Sequence, residues 1–426
     1  MGRATPLHAD VTEIVPLRRN RDFLLLWSGQ VVSTIGTRVT FVAYPLLVLA
    51  LTGSPGKAGL VGFAQTVPYA FAYLPAGALV DRSDHRRVML AADGGRAVAL
   101  ASIAVALFVD KLTLAQIVVV ALLEGTLYVF FQVAESAALP HVVPKQQLAT
   151  ALAQNQARDQ GAALVGAPLG GALFALSRGA PFVADAVSYT ISLLALLLLR
   201  TPLGAERERA GTSLAADVRE GIGWYRRQPF LTALIVVVGA TNVFYTALLL
   251  VLIVRARQVG SSPALIGAMF SCAGAGAIVG ALVAPYVQRT FSARIVLIGV
   301  LWLDAVGFAF FVVLPSAVAF GIDLALLALL SPPFNVVLTS YRYALVPDRL
   351  LGRTGSVARL VTWGSIPLGP LLGGFLVDAV DTRATLGILA GGMLVVAATA
   401  AALPSIRSAP DLRLLLAGVD EQTPSS

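Results

Sequence analysis

Long apolar runs separated by short polar segments occupy the chain from about residue 22 to residue 403. A helix that crosses the hydrocarbon core of a bilayer needs roughly 20 consecutive, mostly apolar residues. The pattern therefore predicts twelve membrane helices, which we number as spans 1 to 12 in chain order. These spans cover residues 22–50, 57–80, 88–108, 113–139, 147–176, 179–199, 229–254, 262–287, 293–313, 317–341, 355–378 and 384–403.

The polar segments between and around the spans divide the chain into five parts. The predicted parts are an N-terminal tail at 1–20, a six-helix bundle at 21–199, a central loop at 200–228, a second six-helix bundle at 229–403 and a C-terminal tail at 404–426. The end of the central loop has the pattern of a short amphipathic helix, which would lie on the membrane surface.

The two halves of the chain repeat one another. Gly77-Ala-Leu-Val80 recurs as Gly280-Ala-Leu-Val283, and Leu169-Gly-Gly171 recurs as Leu372-Gly-Gly374, both at an offset of 203 residues. Glycine-rich apolar helices resemble one another by composition, but a constant offset favours duplication. Parallel repeats of this kind are a known transporter plan, with the substrate site at the repeat interface near the membrane midplane.

Composition and charge support a membrane protein. The 426 residues are 57% hydrophobic and 13% charged, with a mean hydropathy of +0.81, whereas soluble domains carry about 25% charged residues. Of the 31 Lys and Arg residues, 21 fall on the side that holds both termini and six on the other side. Basic residues concentrate in cytoplasmic loops, so both termini are predicted to be cytoplasmic and the net charge of +8 needs no nucleic-acid partner.

Charged side chains inside membrane spans are functional candidates by default. The candidate coupling or substrate residues are Arg38, Glu124, Arg158, Asp159 and Asp323. Arg38 lies about 24 Å and Glu124 about 22 Å from the predicted cytoplasmic ends of spans 1 and 4. We expect Arg38 either to adjust the proton affinity of Glu124 or to form a static ion pair with it. Arg158 and Asp159 are adjacent, so their side chains are expected to point about 100° apart.

Other charges in the spans have structural interpretations. Asp93 and Arg96 are three residues apart on span 3 and are predicted to pair locally. Glu135 lies near a span end and is expected to reach water. Asp185 and Asp304 are predicted to make structural polar contacts. Seven aromatic residues either line a pocket or pack between helices, namely Trp27, Tyr69, Tyr128, Phe131, Tyr245, Tyr341 and Trp363.

Several segments resemble a known family. Gly77 to Arg87 resembles the cytoplasmic loop motif between helices 2 and 3 of the major facilitator superfamily. Phe23 to Gln30, Leu51 to Pro55 and Glu220 to Pro229 are similar to the branch that contains macrolide efflux pumps and enterobactin-type siderophore exporters. The resemblance extends over about residues 20–405, nearly the whole chain.

The resemblance implies a fold and a function. The implied fold is an all-α membrane protein with twelve transmembrane helices in two pseudo-symmetric six-helix bundles. The implied function is secondary transport by alternating access, as a proton-coupled exporter of a small, partly hydrophobic molecule such as a drug, a macrolide-like compound or a siderophore. An importer or facilitator on the same fold, and a membrane-embedded enzyme or receptor, are the alternatives.

The predicted partners are the small-molecule substrate, protons and the lipid bilayer, without nucleic acid, cofactor, metal or catalytic residue. The protein is expected to be a monomer with multiple passes through the cytoplasmic membrane.

The resemblance also assigns roles to two motifs. The loop motif is predicted to be a conformational latch, in which Asp81 faces the N-terminus of span 11 near Gly355, where a helix carries about half a positive charge. Its residues are Gly77, Asp81, Arg82, Arg86 and Arg87. Glycine and proline positions of spans 5 and 11 are predicted to be helix-packing devices, and these are Gly166, Pro168, Gly170, Gly171, Gly369, Pro370, Gly373 and Gly374. The exporter pattern Gly-Pro-x-x-Gly-Gly occurs in span 11, whereas in span 5 the proline is displaced by one residue.

Overall fold

The structure is a computed structural model that describes residues 16–204, 214–410 and 412. Within these residues the chain is helical and contains no strand. Parts of the predicted tails and of the central loop, including Arg3, Arg207, Arg209 and Arg413, lie outside the described residues.

Every predicted span corresponds to helix, labelled α1 to α12 in chain order. The first six are α1 Arg21–Thr52, α2 in the pieces Pro55–Thr66, Pro68–Phe71 and Tyr73–Val80, α3 His85–Phe108, α4 Leu114–Val142, α5 Leu148–Leu176 and α6 Ala180–Leu197. A linker helix at Leu214–Arg226 precedes the second six. These are α7 Pro229–Gln258, α8 Pro263–Thr290, α9 Ala293–Val313, α10 Ala317–Leu345, α11 in the pieces Leu351–Gly364 and Leu368–Val380, and α12 Thr382–Ala402.

Ten helices of the described chain are long and apolar enough to cross a membrane. The two remaining predicted spans are α2 and α5. Helix α2 is interrupted before Pro68, whose ring nitrogen cannot donate a helical hydrogen bond. Helix α5 carries Arg158 and Asp159 in its first half, which lowers its hydropathy, but its 29 residues extend about 43 Å. Helix α5 is therefore long enough to reach across the bilayer, and the crossing of α2 stays a prediction.

Successive helices run in opposite directions, so the bundle has two distinct ends. We call the end that holds the start of α1 and the end of α12 the terminus end, and the other end the opposite end. Near the opposite end, Gly374 of α11 packs on the backbone of Pro55 and Gly59 of α2. Gly171 of α5 packs in the same way on the backbone of Pro263 at the start of α8. The two halves of the chain are thus in backbone contact near the opposite end.

The other glycines of the same motif make contacts within each half. Gly166 and Gly170 of α5 lie against the α1 backbone at Arg38 and Val39. At the 203-residue offset, Gly369 and Gly373 of α11 lie against the α7 backbone at Val243 and Ala247. A Cβ at any of these four glycines would overlap the facing helix. The repeated sequence therefore marks a repeated packing arrangement. In each half, two glycines face a helix of the same half and a third glycine faces the other half.

The linker helix belongs structurally to the second half. Gly221 lies against Arg353 and Val357 of α11, and Glu220 forms an ion pair with Arg353. Tyr225 is buried in the apolar cluster around Val357. The predicted amphipathic helix therefore exists, and its apolar side covers the terminus end of α11.

Candidate functional site

A cavity of about 360 Å³ lies between the two halves and is lined by α1, α2, α3, α4, α5, α7 and α11. Its size falls in the usual range for small-molecule sites. The wall from the first half carries the charged side chains Arg38, Arg96 and Asp159. The wall from the second half is mostly apolar and includes Leu249, Leu250, Ile253, Trp363 and Ile366. The cavity can thus contact a polar group on one side and an apolar body on the other.

Aromatic rings form the part of the cavity wall where the halves meet. Of the seven aromatic residues singled out in the sequence, four line the cavity, namely Tyr69, Tyr128, Phe131 and Trp363. The ring centroids of Tyr69 and Trp363 are 6.4 Å apart, which joins α2 to α11. Phe41 and Tyr44 also line the cavity, although sequence reasoning did not select them. Trp27, Tyr245 and Tyr341 are not among the lining residues.

Glu124 is buried behind the cavity-lining residues Tyr44 and Arg96, with 2% of its surface exposed. The Tyr44 hydroxyl donates a hydrogen bond of 2.8 Å to its Oε2. The Tyr189 hydroxyl lies 3.5 Å and Arg96 Nη2 lies 3.8 Å from its Oε1. The prediction that Arg38 pairs with Glu124 is therefore wrong, because the cation beside this carboxylate comes from α3 and not from α1.

Arg96 is a cavity residue whose role the sequence reasoning missed. Its guanidinium is 3% exposed, lies 3.9 Å from the ring centre of Tyr189 and donates a hydrogen bond of 3.2 Å to Thr37. The predicted local ion pair with Asp93 is wrong, since the carboxylate within 4.0 Å of Arg96 in the described part of the chain is that of Glu124. The depths of the two residues could have indicated this pair. Arg96 lies 12 residues before the end of α3 and Glu124 lies 10 residues after the start of α4, so both lie at a similar distance from the opposite end.

Two further buried acids make the structural polar contacts expected of them. Asp185 of α6 accepts hydrogen bonds from Thr40 at 2.8 Å and Ser188 at 2.9 Å. Asp304 of α9 accepts a hydrogen bond of 2.7 Å from the Tyr245 hydroxyl. Both carboxylates connect neighbouring helices outside the cavity wall.

The buried Arg158 of α5 makes two ion contacts, one with Glu135 of α4 and one with its neighbour Asp159. Its Nη1 lies 2.7 Å from Glu135 Oε1 and its Nε lies 3.0 Å from Asp159 Oδ1. Two predictions are wrong here. Arg158 and Asp159 are not apart, because the long arginine side chain bends back to its neighbour. Glu135 does not reach water, since it is 5% exposed and held by Arg158. Asp159 also faces the cavity.

Asp323 is not part of the cavity. It lies six residues from the start of α10, near the opposite end, and is 6% exposed. Its Oδ2 has no hydrogen-bond partner among the described residues. The structure thus separates Asp323 from the other four coupling candidates, and its role stays a prediction.

The loop motif at the terminus end is not engaged as a latch in this structure. Asp81 is exposed, and its carboxylate forms neither a hydrogen bond nor an ion pair within the described part of the chain. The space beside Gly355 is occupied by the guanidinium of Arg342 instead. Arg86 donates hydrogen bonds to the carbonyl oxygens of Leu196, at 2.8 Å, and Leu197. Gly77, Arg82 and Arg87 also lie at the terminus end. The latch role of the motif stays a prediction.

A second carboxylate–helix contact occurs at the opposite end and was missed from sequence. Asp378 of α11 accepts hydrogen bonds of 2.9 Å from both Ser54 Oγ and the Gly56 backbone N–H. These donors belong to the first turn of α2, where unpaired amide groups carry partial positive charge. Asp378 therefore binds one half of the molecule to the other across the closed end.

Comparisons with known proteins agree with this architecture. A family model described as a transmembrane secretion effector matches residues 11–413. The multidrug efflux pump Tap of Mycolicibacterium fortuitum is 27% identical over 396 residues, covering 90% of this chain and 96% of that protein. The macrolide efflux protein A of Streptococcus pyogenes is 26% identical over 220 residues, 50% of this chain and 54% of that protein.

Solved structures described as transporters share the fold. The nucleoside transporter NupG has a TM-score of 0.73 at 15% identity, covering 89% of this chain and 98% of that one. A bacterial homologue of the lysosomal transporter Spinster, in an inward-facing and unoccupied conformation, has a TM-score of 0.71 at 14% identity, covering 94% of this chain and 98% of that one. At these identities the similarity establishes the major facilitator fold.

Proposed function

The chain belongs to the transmembrane secretion effector family of membrane transporters, and from that premise we propose that it is a proton-coupled exporter of small, partly hydrophobic molecules. The names of its relatives, a multidrug efflux pump and a macrolide efflux protein, support drug-like or macrolide-like cargo. The cavity supports the same class of substrate, because it combines aromatic and aliphatic walls with a few polar groups. Siderophore cargo stays a prediction from the sequence.

The buried contact between Glu124 and Arg96 carries the proposal of proton coupling. A carboxylate out of water favours its protonated form, whereas a nearby cation favours the ionised form. With Arg96 Nη2 3.8 Å away and the Tyr44 hydroxyl at 2.8 Å, small movements of α3 against α4 change which form is preferred. Alternating access moves helices by more than this, so one conformation binds a proton at Glu124 and the other releases it.

The state of the cavity is compatible with substrate loading from the cytoplasm, as export requires. Both termini are cytoplasmic in our proposal, because most Lys and Arg residues lie at their end of the bundle. The halves are closed at the opposite end by Gly171, Gly374 and Asp378, while Asp81 at the terminus end is free. We interpret this state as the one that faces the cytoplasm and loads substrate there.

Glu124→Gln tests the coupling role. In proteoliposomes with a fluorescent drug-like substrate, we expect this variant to lose accumulation driven by a proton gradient, because glutamine cannot release a proton. It should retain substrate exchange without a gradient, since the shape of the site is kept. Glu220→Gln, which changes an exposed glutamate outside the cavity, is the matched control. Accumulation against a gradient by Glu124→Gln would remove Glu124 from the coupling role.

A double variant separates coupling from a purely structural tether. Replacing one partner of a buried ion pair leaves an uncompensated charge, at a cost of about 3–5 kcal/mol. If Glu124→Gln is unstable and Arg96→Gln with Glu124→Gln restores both stability and gradient-driven transport, the pair only connects α3 to α4. If the stable double variant exchanges substrate but does not accumulate it, the coupling role holds.

A further inference from the structure

The two arginines that line the cavity differ in their partners. Arg96 is buried against Tyr189, Thr37 and Glu124. Arg38 is exposed to the cavity and, among residues 16–204, 214–410 and 412, its side chain makes no hydrogen bond and no ion pair within 4.0 Å. The cavity therefore contains one arginine with a carboxylate partner and one arginine without a direct partner.

The packing of α5 fixes where Arg38 stands. Gly166 lies against the Cα and Cβ of Arg38, so the root of the side chain is held by the α1–α5 contact. Arg38 lies 17 residues after Arg21, about 25 Å along a helix of 32 residues. Its guanidinium is thus available near the middle of the membrane, where an unpaired charge becomes costly once the cavity closes and excludes water.

The residues around Arg38 determine which group can neutralise its positive charge. Asp159 is the acidic side chain that shares the cavity wall, and its Oδ1 is 3.0 Å from Arg158, which also pairs with Glu135. Polar groups of the same wall are uncharged and include Thr34 and Gln132. The facing wall from α7 and α11 offers apolar side chains.

We propose that Arg38 binds the acidic group of an amphiphilic substrate, so that amphiphiles carrying a carboxylate, sulfonate or phosphate are part of the transported class. This inference rests on the proposed export function of the cavity. A guanidinium forms two parallel hydrogen bonds with such a group and stays charged at any physiological pH. The apolar body of the same molecule packs on the wall that includes Leu249, Ile253 and Trp363.

A pair of dyes that share one skeleton tests the proposal. The probes are 8-anilinonaphthalene-1-sulfonate, which is anionic, and N-phenyl-1-naphthylamine, which lacks the sulfonate. Binding of each dye to the full chain in nanodiscs is followed by fluorescence, with empty nanodiscs subtracted. We expect Arg38→Gln to lower the ratio of anionic-dye to neutral-dye affinity at least tenfold, and Arg38→Lys to restore part of that ratio. Arg359→Gln, an exposed arginine outside the cavity wall, is the matched control and should leave the ratio unchanged.

Three outcomes overturn the proposal. The first is an unchanged affinity ratio in a correctly folded Arg38→Gln protein. The second is a ratio that Arg359→Gln lowers as much as Arg38→Gln does. The third is equal loss of neutral-dye transport in Arg38→Gln and Asp159→Asn, which would make Arg38 the partner of Asp159 in another conformation. Gradient-driven transport of the neutral dye by the wild-type protein is measured in the same preparation and tests the proposed export function. Its absence would contradict export, whereas an unchanged affinity ratio would contradict only the role of Arg38.

Discussion

At the scale of single residues, depth in the membrane was predictable and direction around the helix was not. Counting residues along α1 and α4 placed Arg38 and Glu124 at similar depth, and in the structure both lie in the middle part of their helices. The pairing was wrong because a helix turns 100° per residue and the mutual rotation of packed helices is set by side-chain packing. Arg96 therefore reached Glu124 from the neighbouring antiparallel helix α3, while Arg38 faced the cavity.

The buried acids Glu124 and Asp185 should respond differently to amidation. Asp185 is fully buried, and both of its partners donate hydroxyl groups, so an asparagine oxygen can replace one acceptor. We expect Asp185→Asn to retain gradient-driven transport with a modest loss of thermal stability. Asp185→Leu should be destabilised by about 0.5–1.5 kcal/mol for each of the two lost hydrogen bonds, because the Thr40 and Ser188 hydroxyls keep backbone carbonyl acceptors. Thermal unfolding in detergent and proteoliposome transport are the measurements, and loss of gradient-driven transport in a stable Asp185→Asn protein would contradict this assignment.

At the scale of helices, the sequence predicted the elements well and the contacts between them only in part. The bounds of all twelve spans agree with helices to within a few residues, because apolar length is a direct consequence of bilayer thickness. The glycines at a constant offset were recognisable as packing positions. The Asp378 contact with α2 joins residues more than 300 positions apart. Local sequence pattern carries no information about such a pair.

Two carboxylate–helix contacts, one at each end, are expected to favour opposite conformations. Asp378 holds the opposite end closed in this structure, whereas Asp81 is free and, in our prediction, engages α11 when the terminus end closes. A charge at a helix N-terminus contributes about 0.3–1 kcal/mol. Asp378→Asn should therefore shift the population about two- to fivefold toward opening of the opposite end, and Asp81→Asn should shift it the other way.

Spin-label distances measure both shifts in one experiment. One label pair across the terminus end and one across the opposite end report the two conformations in nanodiscs. Asp348→Asn, at the terminus end but outside both contacts, serves as the control. Shifts of the same sign in Asp378→Asn and Asp81→Asn would show that the two contacts do not oppose one another.

At the scale of the whole molecule, the distribution of charge predicts how the protein is inserted. The terminus end carries most of the Lys and Arg residues, which the positive-inside rule places in the cytoplasm. A cysteine at Gly179, between α5 and α6 at the opposite end, should react with a membrane-impermeant thiol reagent in intact cells once Cys272 is replaced. A cysteine at Lys145, between α4 and α5, should react only after the membrane is opened. The reverse pattern would invert the topology and the proposed direction of transport.

If Glu124 couples proton and substrate movement, a substrate gradient alone must drive protons across the membrane. The pH inside proteoliposomes is therefore measured when a substrate gradient is imposed without a pH gradient. The wild-type protein should move protons against the direction of substrate flow and change the internal pH. Glu124→Gln should carry substrate down its gradient with no pH change. Equal pH changes in both proteins, or none in a wild-type protein that carries substrate, would contradict proton-coupled export through Glu124.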